Sequence, residues 1–157
     1  MAETTGARAE FLAWTAEQFL HNSRSGRRLI AVESAGAPAA SRFADDLAGA
    51  LAERGQHPLR LSLGSVGEAT LRRDTIEPFR AGTLDGADDP DTVLIVDGQR
   101  LLNEKVRGIW HYTVWLLAGE ELPHAGANLI VDASDESGLT DYYYDLCKLP
   151  PSFGERA

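Results

Sequence analysis

Residues 28–51 read RLIAVESAGAPAASRFADDLAGAL, and the order of apolar and small residues in this stretch decides the fold. Leu29-Ile30-Ala31-Val32-Glu33 is a short apolar run with two β-branched residues, the pattern of a buried strand. From Ser41 to Arg54 the period changes. Phe43, Leu47, Ala50, Leu51 and Arg54 recur at helical spacing, so an amphipathic helix is expected there. The small residues of Ser34–Ala40 are left as the loop between strand and helix. Gly55 follows the helix as its C-cap.

The same alternation continues outward from this unit. A first helix is expected over residues 7–22, where Phe11, Trp14, Ala16 and Phe19 alternate with polar positions, and Ser23–Gly26 forms a turn. Pro58–Leu63 reads as a second strand, and Gly67–Phe79 as a segment with a short helix ended by Pro78. Ala81–Asp91 is rich in Gly and Asp, a solvated loop. Thr92–Val96 is almost wholly apolar and therefore central, covered on both faces. A short helix over Asn103–Gly108 and a fourth strand over Tyr112–Leu117 follow. Strands alternating with helices imply a three-layer α/β domain.

A strand running through a small-residue loop into a helix is also the frame of a phosphate-binding loop, G-x-x-x-x-G-K-[ST]. Here the first Gly position is Ser34, the second is Ala39 and the Lys position is Ala40. Only the hydroxyl that would reach Mg²⁺ is kept, as Ser41. The loop residues Ser34, Gly36, Ala37, Ala39, Ala40, Ser41 and Arg42 are the candidate ligand-binding set. A helix N-terminus at Ser41–Arg42 would still favour a small anion through its unpaired N–H groups.

This segment, with its helix opening Phe43-Ala44-Asp45-Asp46-Leu47, resembles the start of the bacterial uridine kinase-like proteins, a P-loop nucleoside kinase family. Further likenesses follow in the same order: Leu71-Arg72-Arg73 before Pro78, then Val93-Leu94-Ile95-Val96-Asp97-Gly98 with Leu101-Leu102 and Ile109-Trp110, and finally Ala127-Asn128-Leu129-Ile130-Val131-Asp132. The resemblance covers roughly residues 8–135. It implies a P-loop NTPase fold with five mostly parallel strands in the order 2-3-1-4-5. It also implies the machinery of a kinase, and here the chain departs. The family's second strand ends in Asp-Asp-Phe, and the matching positions are Gly64, Ser65 and Val66. Its arginine-bearing lid is replaced by Ala118–Gly126, which has no Arg or Lys. Phosphoryl transfer depends on positioning and charge neutralisation, so the joint loss of lysine, base and lid argues for a degenerate member without a cofactor. The alternative is an atypical kinase using Mg-ATP, with Arg42 or Arg100 supplying the cation, or a new chemistry built on His111 or the tyrosines.

Secondary candidates are Asp97, Arg100, His111 and Tyr143. Asp97 stands at a strand end, the usual ligand position in an open α/β sheet, although a carboxylate capping the Gln99–Leu102 turn is the plainer reading. Arg27-Arg28 reads as a solvated pair. The four histidines show no metal-ligand spacing, and no metal is expected.

At 157 residues one domain is expected: a helix over 7–22, an α/β core over 28–133 and an aromatic tail over 134–157. The tail carries Leu139, Tyr142, Tyr143, Tyr144, Leu146, Leu149 and Phe153, and is expected to pack on the core or on a partner. A net charge of −9 repels nucleic acid. No apolar run approaches the roughly 18 residues of a membrane span. A single cysteine, Cys147, and a start without an apolar leader suit the cytoplasm. The expected partner is a small anionic ligand or a protein, including a second copy in a homodimer.

Overall fold

A computed structural model of the chain describes residues 2–34, 37–65, 67–87, 89–99, 101, 109–117, 129–132 and 140–141. The elements run α1 (Ala2–Asn22), β1 (Arg28–Ser34), α2 (Ala37–Ala52), β2 (His57–Ser65), α3 (Glu68–Leu71), a π-helical turn (Arg72–Ile76), α4 (Glu77–Ala81), β3 (Thr92–Gln99), β4 (Tyr112–Leu117), β5 (Leu129–Asp132) and β6 (Thr140–Asp141). They form one sheet in the order β2-β3-β1-β4-β5-β6. Four parallel strands, β2-β3-β1-β4, make its core. The four-residue β5 adds in parallel to β4, and the two-residue β6 adds antiparallel to β5. The expected set of five strands therefore differs in count. The extra strand falls inside the tail, where two residues are too few to carry a period.

Both faces of the core strands are covered, which accounts for their unbroken apolar runs. Ile30, Val32, Val93, Ile95, Val114 and Leu116 pack beneath Leu12, Ala16 and Phe19 of α1 and Phe43, Leu47 and Leu51 of α2. On the opposite face Leu29, Ala31, Leu94 and Val96 meet Leu71, Ile76, Phe79, Leu101, Ile109 and Trp110. Ile30, Val32, Leu94, Val96 and Val114 are all fully buried. Helices α1 and α2 run side by side in the same direction, pinned by Arg8 Nε to Asp46 Oδ2 at 2.7 Å and Arg54 Nη2 to Glu17 Oε2 at 3.0 Å.

Several boundaries differ from the expectation: α1 begins at Ala2 rather than at residue 7, β2 runs over His57–Ser65 and β3 over Thr92–Gln99, and two further differences have plain physical reasons. Helix α2 begins at Ala37, four residues before Ser41. Alanine has the highest helix propensity, and Pro38 is tolerated in a first turn where its missing N–H has no partner to lose. Pro38 thus becomes an early helical residue, and only positions 35 and 36 separate β1 from α2. Pro78 does not end its helix either. The preceding π-turn places it in the first turn of α4, which continues to Ala81 and is capped by Gly82 at φ +77°.

Arg28 corrects the reading of a solvated pair. It is 1% exposed. Its Nε donates to Gly26 O (2.8 Å), Nη1 to Ser23 O (2.7 Å), and Nη2 to both Gln56 Oε1 (2.8 Å) and Asp91 O (2.7 Å). The guanidinium lies 5.8 Å from the Phe19 ring centroid. One side chain thus joins the turn after α1, the turn after α2 and the start of β3.

Candidate functional site

The carboxyl ends of β1 and β3, with the first turns of α2, collect the residues that the sequence singles out. Ser34 closes β1 and is buried. Ala37, Ala39 and Ala40 are helical residues of α2 rather than loop residues, Ser41 is half-buried one turn on, and Arg42 is exposed. Asp97 lies on β3 beside Val32 of β1 and Ser62 of β2. Gly36, Arg100, Tyr143, the connector 118–126 and the helix expected over Asn103–Gly108 lie outside the described residues, as does the tail apart from Thr140–Asp141.

What joins these parts is a residue the sequence reading passed over. In β2 the leucines Leu59, Leu61 and Leu63 pack on the face opposite α2, so alternation turns Arg60 and Ser62 toward α2. Arg60 Nη2 donates to Asp97 Oδ1 at 2.8 Å, and Nε donates to Asp45 Oδ1 of α2 at 2.8 Å. Its Nη1 donates to Ile95 O (3.0 Å), and Nη2 also reaches Ser41 O at 3.4 Å. The Ser62 hydroxyl donates to the same Asp97 oxygen at 2.5 Å. Asp97 itself is 5% exposed. A buried carboxylate is tolerated only when paired and hydrogen-bonded, and here one guanidinium and one hydroxyl perform both tasks. The alternation Leu59-Arg60-Leu61-Ser62-Leu63 puts Arg60 and Ser62 on one face, but nothing local shows that this face meets a buried anion.

Asp97 thus bonds to β2, and Arg60 carries the link on to α2. The Leu101 amide in the following turn donates instead to Glu33 Oε1 at 3.0 Å, and Trp110 Nε1 donates to Leu101 O at 2.7 Å. Glu33, on the face of β1 opposite Val32, is a second residue missed, because its glutamate ended the strand pattern and drew no role.

His111 is not brought to this site. Its backbone N–H donates to Leu29 O at 2.8 Å, and its Nδ1 accepts the Leu29 N–H at 3.0 Å. Leu29 and Ser34 stand at opposite ends of β1, roughly 16 Å apart at strand rise. Withdrawal of the ring from water, reinforced by the positive charges of Arg80 and Arg28, lowers the His111 pKa from its ordinary 6.5.

A shallow groove of ≈ 330 Å³ runs between α1 and α2, floored by Leu12, Gly49 and Ala50 and rimmed by Asp45, Asp46 and Glu53. Among the described residues no three His, Cys, Asp or Glu side chains gather as a metal site, and no helix is long and apolar enough to cross a membrane.

No protein-family model and no curated protein matches this chain. Among solved structures, the chain is similar to a "putative fructose transport system kinase" from Silicibacter sp. TM1040, at 20% identity over 73% of this chain and 76% of that chain, with a TM-score of 0.48.

Proposed function

We propose that this chain is a uridine kinase-like domain that no longer transfers phosphate and acts by binding, either a small anion at the start of α2 or a protein partner that includes a second copy of itself. The reading rests on the sequence resemblance together with the strand order β2-β3-β1-β4 of the parallel core. The observation that carries it is the ion pair of Arg60 with Asp97. A catalytic carboxylate at a strand end must be open to a metal or a substrate proton. Asp97 instead holds a guanidinium at 2.8 Å and a hydroxyl at 2.5 Å.

Mg-ATP does not fit the residues present. The lysine position is Ala40, and α2 is already helical at Ala37, so only two residues are left where a phosphate cradle would need a long loop. What is kept is the start of α2, which lies at Ala37 rather than at Ser41–Arg42 as the sequence suggests, with the exposed Arg42 in the turn that follows, a place suited to one small anion of phosphate size. A cytoplasmic location and an aromatic tail packed on the core or on a partner belong to the same reading.

The test pairs two assays on the full chain. Incubation with Mg-ATP and a panel of nucleosides should give no nucleoside monophosphate. Inorganic phosphate at millimolar concentration should raise the melting temperature, and Arg42→Ala should remove that rise. Nucleoside phosphorylation above the uncatalysed background would overturn the loss of transfer. An unchanged melting temperature in phosphate would overturn the anion site.

A further inference from the structure

We propose that His111 is a pH-sensitive latch at the amino end of the sheet, whose protonation releases the junction between the start of β1 and the start of β4. The geometry is a reciprocal clasp. The His111 backbone N–H donates to Leu29 O at 2.8 Å, and the imidazole Nδ1 takes the Leu29 N–H at 3.0 Å, so one residue satisfies both backbone groups of another. That arrangement requires Nδ1 to carry a lone pair and the proton of the neutral ring to sit on Nε2. In the imidazolium both nitrogens are donors. The Leu29 N–H would then face another N–H, with its acceptor gone and no place in the ladder to find a second.

The surroundings make the change abrupt. Among the described residues, Arg28, on β1 next to Leu29, and Arg80, on α4, act on the ring, and both are cations. Asp91 acts on Arg28, offsetting part of its charge, while the Arg28 guanidinium is itself fixed by Gly26, Ser23, Gln56 and the Asp91 carbonyl. An imidazolium would therefore enter a neighbourhood with two cations, of which Arg28 is held in place. His111 is exposed as a residue, so protons reach it from solvent without prior unfolding.

The sign follows from the neutral form being the one the fold holds. The folded pKa lies below 6.5, so the contribution of the clasp is complete above the unfolded value and is lost as pH falls through the folded value. The latch is closed at neutral pH and opens under mild acid. Strands β1 and β4 part first at their amino ends, because pairing from Ile30 with Tyr112 to Ser34 with Leu116 does not involve the ring.

Amide hydrogen exchange on the full chain, corrected for intrinsic rates, tests the latch directly. Between pH 7.5 and 5.0 the protection of the Leu29 amide should be progressively lost as the imidazole takes up its proton. The Leu94 amide in β3 should keep its protection. His111→Asn places an amide oxygen near the Nδ1 position, and should protect Leu29 equally at both pH values. Constant Leu29 protection in the native chain, or the same acid loss in the asparagine variant, would overturn the proposal. Nitrogen chemical shifts of His111 in the unmodified protein give an independent reading. The Nε2–H tautomer at pH 7.5 is expected, and an Nδ1–H tautomer would contradict the clasp.

Discussion

The sheet holds one buried or half-buried arginine toward each end, and the two are satisfied in opposite ways. Arg28 at the amino end donates to three carbonyl oxygens and one amide oxygen, all neutral, and keeps its charge beneath the Phe19 ring. Burial lowers its pKa and Asp91 opposes that shift. Arg60, further along the strands, meets two carboxylates, Asp97 and Asp45. Guanidinium donors facing neutral oxygens tie loops together and leave a net charge behind. A guanidinium facing two carboxylates offsets one of their charges and leaves a net negative charge behind. The amino end is therefore built for rigidity, whereas at the other end, the proposed ligand end, the buried Asp97 carboxylate is already held by a cation from the neighbouring strand.

Substitution of Arg28 is the largest expected effect. Arg28→Met leaves the carbonyls of Ser23, Gly26 and Asp91 without this donor inside the fold, and should lower stability by about 3 kcal/mol. For a domain of this size that is roughly 6–12 °C of melting temperature. Arg28→Lys should recover only part, because one ammonium cannot span four acceptors. A loss below about 1 kcal/mol in urea unfolding would remove the claim of rigidity at this end.

The ligand end should respond as a pair. Arg60→Met deprives the nearly buried Asp97 of its cation and should destabilise by about 2 kcal/mol, within the range for leaving a buried charged group short of a partner. Replacing both, as Arg60→Met with Asp97→Leu, should regain much of that loss, giving a coupling of about 1–3 kcal/mol in a double-mutant cycle. Additive losses would mean that the two residues act separately. A stabilising Asp97→Asn would mean a carboxylate held against its own environment, as functional carboxylates often are.

How much of this was legible follows from where each partner lies. The strands could be read because their apolar runs face helices on both sides, and α1 because its aromatics repeat at helical spacing. The start of α2 was misplaced because a loop was assumed where the alanines, with Pro38 in the first turn, prefer helix. Pro78 was read as a terminator because the π-turn before it leaves no local mark. At the candidate site Asp97 and Ser41 were visible as positions on a familiar frame. Arg60 was not, since its partners lie 37 and 15 residues away and only the sheet register brings them together. Arg28 was hidden for the same reason, with acceptors as far off as Asp91.

A smaller effect sharpens the contrast at the amino end. Gly82 and Gly55 both have left-handed backbone, at φ +77° and +79°. A Cβ at Gly82 would lie 2.6 Å from Arg27 Nη2, while at Gly55 nothing stands within 4 Å. Alanine should cost about 1 kcal/mol at Gly55 from backbone strain alone. It should cost somewhat more at Gly82, where Arg27 must also shift. Equal losses in thermal unfolding would show that Arg27 moves freely and that packing there is looser than at Arg28.

Under the proposed function, the pairing of Asp97 with Arg60 closes that carboxylate to a metal nucleotide. Calorimetric titration of the intact protein with Mg-ATP measures this most directly. No saturable heat is expected at micromolar to low-millimolar nucleotide, with Asp97 still paired to Arg60. Saturable one-site binding in the micromolar range, abolished by Asp97→Asn, would contradict it.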